Sequence, residues 1–338
     1  MSIARNIAST HSTRGDTIQA GPTTLTFNSF LSFGEEFINE HEEVVRKETL
    51  DWLLKENAIT SQRHLEKIDN HEFHRLSARV FPFGGYHGQR VANDLMIVTF
   101  LYDDMNDAVE PTDEISMKNM MKVQNQMKRV LRGATPFPDD HATVKCMHNI
   151  LERCDVYNKG WLELLREEIF RYIDANQLER MNRQNKQSLM YSSFENVRYY
   201  SGGAMFMIVL SASMCCKGSK YELMLPPYTA ILMRMAVNHI QWVNDVVSIN
   251  KERAEATNSN MVYVFSNKGK LPLPEAVQRA LDRVNEECEA FLDLEEKMYA
   301  NGLIEGHEDM LNYIEALKFW MRGSLDWHFE SARYRVPN

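Results

Sequence analysis

Cysteine is scarce in this chain, with five residues in 338, and two of them, Cys215 and Cys216, are adjacent. That spacing matches neither a disulfide framework nor a zinc site, so we expect reduced thiols and a cytoplasmic location. Long apolar runs are also missing. The longest, residues 204–216, is shorter than the ~20 residues that cross a bilayer and contains two serines. We therefore predict a buried helix there and no integral membrane segment.

Positive charge is in deficit, since 38 Lys and Arg face 47 Asp and Glu, a formal net charge of −9. Without a basic stripe to offset this charge, the composition excludes nucleic acid as a partner. A glycine-rich phosphate loop is absent from the sequence as well. Any phosphate group that this protein binds would have to be held by metal ions and side chains.

Patterns typical of strands are rare, and no repeat period is present. Apolar residues instead recur at helical intervals along most of the chain. These intervals predict an all-α protein with about ten helices. The predicted helices are 34–57, 61–80, 88–109, 114–132, two within 142–184, 187–217, 228–255, 275–300 and 307–333.

The first 27 residues have little periodicity and close with a Gly21-Pro22 loop signal. We interpret residues 1–27 as a flexible N-terminal arm and residues 28–338 as a single α-helical catalytic domain, because no shift in composition marks a linker. Residues 1–15 contain Arg5, Arg14, several Ser and Thr, and no acidic residue. A targeting role for this segment stays open on that composition.

An acidic cluster ends the most apolar predicted helix. The run from Asp94 to Tyr102 is almost free of charge, and Asp103, Asp104 and Asp107 then follow within five positions. In one helix, Asp103 and Asp107 share a face. Unpaired carboxylates beside a buried stripe are costly, and a hard divalent cation would suit them. A solvated acidic helix end would explain this cluster equally well, so a second motif is needed.

That second motif follows another largely apolar helix. Asn244, Ser248 and Glu252 are successively four residues apart and therefore share one helix face. Amide, hydroxyl and carboxylate oxygens are hard donors, appropriate to Mg²⁺ or Mn²⁺. The polar face of an exposed helix is the alternative, but the preceding residues 235–243 are mostly apolar. The sequence thus predicts two oxygen-donor clusters at the ends of buried helices.

Together, Asp103-Asp104-x-x-Asp107 and Asn244-Asp245-x-x-Ser248-x-x-x-Glu252 resemble the two metal motifs of class I terpene synthases. The resemblance covers about residues 30–335. It implies a single-domain helical bundle of the class I terpenoid synthase type and a lyase that breaks a carbon–oxygen bond to diphosphate. It also implies three Mg²⁺ ions, with Mn²⁺ as an alternative, bound by Asp103, Asp104, Asp107, Asn244, Ser248 and Glu252.

The same resemblance assigns the residues that would act on the diphosphate. Arg198 corresponds to the diphosphate-sensing arginine on a broken helix, and Ser201 and Gly202 correspond to its linker and effector positions. Arg333 and Tyr334 resemble the Arg-Tyr pair that donates hydrogen bonds to the diphosphate, and Lys251 matches a lysine that contacts the same group. Gly202-Gly203 would let the helix unwind at this point.

A carbocation formed by loss of diphosphate must be kept from water, and aromatic side chains do this while offering cation–π stabilisation of ~1–2 kcal/mol per ring. Core packing is the more common role for any single ring. The candidate rings are Phe100, Tyr199, Phe319, Trp320 and Trp327. We interpret His87 and His239 as structural, and we assign no catalytic base.

The expected function is cyclisation of a linear prenyl diphosphate, farnesyl or geranylgeranyl, to a sesquiterpene or diterpene. A chain-elongating prenyltransferase is the nearest alternative, but it would carry two Asp-rich motifs, whereas the second motif here is Asn, Ser and Glu. A non-enzymatic helical interaction protein is the alternative from another class, and it leaves the oxygen donors unexplained. A homodimer is an expectation from the family alone.

Overall fold

The computed structural model describes residues 14–20, 23–29, 37–110, 112–185, 189–218, 226–249 and 259–334. Within these ranges the chain forms thirteen α-helices and one β-hairpin. The helices are α1 (Glu42–Lys55), α2 (Gln62–Asn70), α3 (Phe73–Val80), α4 (Gly85–Asp107), α5 (Glu114–Leu131), α6 (Ala142–Arg153), α7 (Lys159–Gln184), α8 (Tyr191–Ser201), α9 (Ala204–Cys215), α10 (Pro227–Val247), α11 (Met261–Asn267), α12 (Leu273–Ala300) and α13 (Glu308–Glu330). Short 3₁₀ turns follow α6 at Cys154–Val156 and α13 at Ala332–Tyr334.

The chain divides into two compact units whose ranges alternate along the sequence. Unit A comprises residues 38–187 and 200–214, and unit B comprises residues 1–37, 188–199 and 215–338. The predicted all-α class is confirmed by the helices of both units. The boundary between an arm and a single catalytic domain stays a prediction.

In unit A, the apolar run before Asp103 lies in α4, which extends for 23 residues and ends shortly before Pro111. Every residue from Val91 to Val98 is buried. Two polar residues within that run are satisfied internally, because Asn93 Nδ2 donates to Thr49 Oγ1 and Thr49 Oγ1 donates to Asp94 Oδ1. The helix therefore stays buried on several sides until its acidic end.

In unit B, α10 is buried along most of its length between Leu232 and Val247. Its apolar side chains pack in one cluster with those of α11 and α12, which includes Trp242, Met261 and Val277. Pro227 at the first turn fits the start of α10, since proline lacks only an N–H that would have no partner within the helix. The end of α10 that carries the second predicted motif is thus fixed by packing.

The N-terminal segment differs from its prediction. Residues 14–20 and 23–29 form two antiparallel strands, β1 (Arg14–Ala20) and β2 (Thr23–Ser29), with Ala20 opposite Thr23 and Arg14 opposite Ser29. Residues 14–20 and 23–27 of the predicted arm therefore lie in strands, which their low periodicity did not predict. Alternation in Thr23-Thr-Leu-Thr-Phe-Asn-Ser is the signal that indicates a strand here. The Gly21-Pro22 loop lies outside the described residues.

Some helix limits also differ. The predicted helix 61–80 is two helices, because Glu72 adopts a left-handed conformation with φ of 54° between α2 and α3. Neither glycine nor proline marks that break in the sequence. The short helix α11 was not predicted, and its start is capped by the Asn260 side chain, which accepts from the Val262 N–H.

His74 is a buried histidine in α3, and burial lowers its pKa to about 4. Its Nε2 lies 3.7 Å from Glu42 Oε1, and Glu43 completes a group of possible metal ligands within 4.8 Å. The Glu42 and Glu43 carboxylates already pair with Arg75 and Arg46, respectively, so their charge is balanced without a metal ion. His74 is therefore a structural residue in unit A.

We predict that this histidine makes the protein less stable in mild acid. Below pH 6.5 the unfolded chain binds a proton at His74 that the folded chain does not bind until about pH 4. Stability should therefore fall as the pH drops through this window, by up to about 2 kcal/mol between pH 7 and pH 5. Urea unfolding of the wild type and His74→Gln at both pH values measures the effect.

The His74→Gln variant should have a shallower pH dependence, but some dependence remains because burial also lowers the pKa of His239 to about 3. His87→Gln, which replaces an exposed histidine, serves as the control and should keep the wild-type dependence. An unchanged pH dependence in His74→Gln would contradict this assignment.

No helix in the described part of the chain is long and apolar enough to span a bilayer.

Candidate active site

The acidic end of α4 lies in unit A, and its carboxylates have different surroundings. Asp103 and Asp104 are partly buried, whereas Asp107 is exposed. Asp104 Oδ2 lies 3.0 Å from the Lys67 ammonium, and Asp107 Oδ1 accepts from Arg183 at 3.1 Å. The three carboxylates therefore share one helix end, as predicted, and basic residues already meet two of them.

A basic pair on α7 supports this helix end and was not predicted from the sequence. Arg180 is buried and donates to Asn106 Oδ1 at 2.5 Å and to Gln124 Oε1 at 2.8 Å. Arg183 donates to the Asn106 carbonyl as well as to Asp107. The spacing of three residues on one helix face could have suggested the pair. These contacts fix the position of Asn106, and with it the last turn of α4.

The predicted helix break is present. Helix α8 ends at Ser201 and α9 begins at Ala204, with Gly203 in a left-handed conformation at φ of 79°. A side chain at Gly203 would also meet the Phe206 ring at 3.3 Å, so both backbone and space favour glycine. Gly202 is exposed, whereas Ser201 is buried.

Ser201 is held on two sides within unit A. Its hydroxyl donates to Glu179 Oε1 at 2.7 Å, and its carbonyl accepts from Asn176 Nδ2 at 3.1 Å. Both partners lie on α7. The end of α8 is therefore anchored by side chains, because the last carbonyl groups of a helix have no partner within the helix itself.

In unit B, Arg198 and Asn244 are in direct contact. Arg198 Nη2 donates to Asn244 Oδ1 at 2.9 Å, and Arg198 Nε donates to Asp245 Oδ1 at 3.0 Å. The predicted diphosphate-sensing arginine and the first residue of the second metal motif thus lie side by side. Ser248 is buried at the C-terminal end of α10, one turn after Asn244.

Asp245, which was not predicted as a site residue, is fully buried. Its Oδ2 accepts from the Met261 N–H at 2.9 Å, and its own carbonyl accepts from Asn260 Nδ2 at 2.7 Å. Burial raises the pKa of the Asp245 carboxyl, while the Arg198 guanidinium and the Met261 N–H oppose that shift. One carboxylate therefore links α8, α10 and the start of α11.

Of the predicted C-terminal Arg-Tyr pair, Tyr334 also contacts Asn244. Tyr334 Oη accepts from Asn244 Nδ2 at 2.9 Å, and the Tyr334 ring stacks on His328 at 4.8 Å. The pKa of His328 is lowered to about 4, mainly by burial; the hydrogen bond to the Ser324 carbonyl opposes this shift, and the nearby charges of Arg333 and Arg198 add to it. Arg333 is partly buried, and its N–H donates to Ser331 Oγ. His328 was not predicted either.

The predicted aromatic residues are all partly or fully buried, and four of the five lie against another ring or a guanidinium. Phe100 stacks on Phe73 at 4.1 Å, and Arg234 lies over the Tyr199 ring at 4.6 Å. Phe319 contacts Phe37 at 5.9 Å. Trp320 and Trp327 are also buried, and Trp327 lies edge-on to Tyr334.

The sequence missed a second aromatic group beside the helix break in unit A. Tyr172 lies between Tyr102 at 5.8 Å and Phe206 at 5.3 Å, and its ring is close to Gly203. Its hydroxyl is buried and has no hydrogen-bond partner among the described residues. Burial raises the pKa of Tyr172, and the charge of Asp103 raises it further.

Two predicted site residues, the diphosphate-contacting Lys251 and the metal ligand Glu252, lie outside the described residues. Of the two histidines interpreted as structural, His239 is buried, and His87 Nε2 lies 3.1 Å from the Arg153 carbonyl. In the described part of the second motif, Asn244 and Ser248 offer the amide and hydroxyl oxygens that a hard cation prefers.

The family model for terpene synthase family 2, C-terminal metal binding, matches residues 94–290. The (+)-T-muurolol synthase ((2E,6E)-farnesyl diphosphate cyclizing) of Roseiflexus castenholzii is 27% identical over 308 residues, 88% of this chain and 90% of that one. Germacrene A synthase of Nostoc punctiforme is 22% identical over 88% of this chain and 91% of that one.

Solved structures show the same fold. Linalool/nerolidol synthase of Streptomyces clavuligerus, in complex with 2-fluorogeranyl diphosphate, is 19% identical with a TM-score of 0.78 over 86% of this chain and 99% of its own. α-Eudesmol synthase is 16% identical with a TM-score of 0.79 over 90% of this chain and 99% of its own. The all-α fold of class I terpene synthases is thereby confirmed. With a family match over more than half of its length, the chain belongs to terpene synthase family 2, a metal-binding family, and is a class I terpene synthase.

Proposed function

We propose that this enzyme uses Mg²⁺ to ionise farnesyl diphosphate and cyclises the resulting cation, which loses a proton to the departed diphosphate and so gives a sesquiterpene. The contact between Arg198 and Asn244 carries the proposal. It joins a cationic donor suited to phosphate with an amide oxygen suited to a hard cation. Tyr334, a further hydrogen-bond donor, contacts the same amide.

The oxygen donors of both motifs fit a divalent cation. Asp103 and Asp104 on α4 would hold cations through carboxylates, and Asn244 and Ser248, with Glu252, would do so through three kinds of oxygen. Bound cations would neutralise the charge that develops on the departing diphosphate. A net charge of −9 makes such bridging necessary, because the protein would otherwise repel the substrate. Three Mg²⁺ ions remain the predicted number.

Four side chains of this protein are proposed to bind the diphosphate. Arg198, Arg333 and Lys251 would supply positive charge, and the Tyr334 hydroxyl would donate a hydrogen bond. Arg198 is already oriented by Asp245, so its guanidinium loses little further freedom when an anion binds. Ser201 and Gly202, at the break between α8 and α9, would be the linker and effector positions that respond when Arg198 binds the diphosphate. The Ser201 carbonyl is held there by Asn176.

Asp107 has a different proposed role from Asp103. Its carboxylate is exposed and pairs with Arg183, which suggests that it orders basic residues rather than contributing the main ligand. Asp104 is partly buried and pairs with Lys67. To bind a metal ion, Asp104 or Asp107 would have to give up its contact with Lys67 or Arg183. By resemblance, Asp103 is the first candidate for a metal ligand among the three.

Farnesyl rather than geranylgeranyl diphosphate is the proposed substrate because two relatives are named for cyclising it. They are the (+)-T-muurolol synthase and a 4-epi-cubebol synthase of Streptosporangium roseum, the latter 23% identical over 88% of this chain. Buried rings such as Phe319, Trp320 and Tyr199 would exclude water from the cation. Each well-placed ring could contribute about 1–2 kcal/mol.

The purified enzyme should convert farnesyl diphosphate to cyclic C15 products in the presence of Mg²⁺, as detected by gas chromatography–mass spectrometry. Geranyl and geranylgeranyl diphosphate are offered in parallel, and kcat/KM should be highest for the farnesyl substrate. Chelation of the metal should abolish turnover, and Mn²⁺ should restore part of it.

Three outcomes would contradict the proposal. Linear alcohols alone would show ionisation without cyclisation, longer diphosphates would show chain elongation, and turnover in the presence of chelator would exclude a metal-dependent reaction. Cytoplasmic location and a homodimer stay predictions from composition and family, respectively.

A further inference from the structure

The side-chain amide of Asn244 has partners at both of its ends within unit B. Its Oδ1 accepts from Arg198 Nη2 at 2.9 Å. Its Nδ2 faces two groups, Tyr334 Oη at 2.9 Å and His328 Nε2 at 3.1 Å. An amide can rotate by 180° with little change in shape, so its hydrogen-bond partners determine which positions Oδ1 and Nδ2 occupy.

The partners allow only one orientation. Arg198 has donors and no acceptor, so it must face Oδ1. His328 Nδ1 lies 2.6 Å from the Ser324 carbonyl oxygen, which can only accept. Nδ1 therefore carries the proton, and Nε2 is left as an acceptor for Asn244 Nδ2. The chain of hydrogen bonds from the Asn244 amide through His328 to Ser324 runs in a single direction.

His328 is itself held firmly. It lies in α13 with a relative exposure of 5%, stacks on the Tyr334 ring at 4.8 Å and contacts the Trp327 ring at 5.1 Å. A ring fixed on two sides and bonded at Nδ1 has little freedom to turn. It therefore offers Nε2 at a constant position, and Asn244 Nδ2 is drawn to it.

We propose that His328 is a positioning residue that orients the Asn244 amide for metal binding. By holding Nδ2, it keeps Oδ1, the one amide atom that can bind a cation, on the side of Arg198. An amide oxygen has two lone pairs, so one can accept from Arg198 while the other binds the cation. The histidine also holds Tyr334 by stacking. This inference rests on the proposed function, since it assigns the support of the same metal site.

Two substitutions separate this role from simple packing. His328→Gln keeps an acceptor, because the glutamine Oε1 extends to about the distance of Nε2 from the backbone. His328→Leu keeps a similar volume without an acceptor. Isothermal titration calorimetry measures the binding of Mg²⁺ with inorganic diphosphate to each protein. His307→Gln, at an exposed histidine before the same helix, is the matched control.

In His328→Leu, the affinity for Mg²⁺ with diphosphate should fall about tenfold, the effect of losing one well-made hydrogen bond to a ligand. His328→Gln should restore it to within about threefold of wild type, and His307→Gln should not change it. The apparent KM for Mg²⁺ in turnover should rise in parallel, while kcat at saturating Mg²⁺ falls less. A purely structural defect would instead lower the fraction of active protein and leave the affinity of the remainder unchanged.

Wild-type affinity in His328→Leu, or equal losses in the Leu and Gln variants, would overturn this assignment alone. If His328→Leu does not fold, His328→Asn replaces it, because its amide is one methylene too short to reach Asn244. A wild-type protein that does not bind Mg²⁺ with diphosphate would overturn the proposed function and this assignment together.

Discussion

Replacing Asp103 with Asn should lower kcat/KM for farnesyl diphosphate by at least roughly a thousandfold, equivalent to about 4 kcal/mol of activation free energy. The substitution keeps the shape of the side chain and removes the negative charge that a divalent cation requires. Asp103 is partly buried at the end of α4, where the preceding residues exclude water. The loss should therefore be one of catalysis rather than folding.

Graded substitutions on the same helix end sharpen this test. Asp107→Asn should reduce kcat/KM less, because the Asp107 carboxylate is exposed and pairs with Arg183. Glu110→Gln removes an exposed carboxylate one turn further on and should leave activity unchanged. Steady-state kinetics and circular dichroism melts are measured for all three variants.

Near-wild-type turnover in Asp103→Asn would exclude its role as the main ligand of the first motif. A melting temperature well below that of the wild type would mean that the carboxylate has a structural role instead.

Helix α4 could be predicted well because its signal is local, whereas α10 ends at Val247, eight residues before the predicted end at residue 255. A long apolar run that ends in acidic residues placed α4 within three residues of its observed start and two of its end. The glycine pair marked the break between α8 and α9 for a similar reason, since Gly203 adopts a conformation that other residues rarely do. Short-range chemistry determines these features, so the sequence alone suffices.

The supporting contacts could not be predicted because they join residues far apart in the sequence. Arg198 and Asp245 are 47 positions apart, and Asn244 and His328 are 84 apart. Their partnership depends on how α8, α10 and α13 pack, which no local pattern specifies. The break at Glu72 was missed for another reason, because a left-handed glutamate has no turn signature in the sequence.

Replacing Asp245 with Ala should destabilise the protein by about 3–5 kcal/mol, the usual cost of removing one partner from a buried ion pair. The carboxylate is fully buried and accepts from Arg198 on one oxygen and from the Met261 N–H on the other. Its removal takes the Asp245 charge away from the partly buried Arg198 guanidinium and leaves the Met261 N–H at the start of α11 without this acceptor. Urea unfolding followed by circular dichroism measures the change in free energy.

Asp245→Asn should destabilise less, because one oxygen remains to accept a hydrogen bond, although the opposing charge is lost. Asp293→Ala is the matched control: its carboxylate pairs with Lys297 on the exposed face of α12, where both side chains are more than 60% exposed. Such a surface pair contributes less than about 0.5 kcal/mol. If Asp245→Ala costs no more than Asp293→Ala, the buried pair with Arg198 does not support the end of α10. A large loss of stability in Asp245→Ala alone would mean that Asp245, next to the proposed metal ligand Asn244, holds the three helices around it in place.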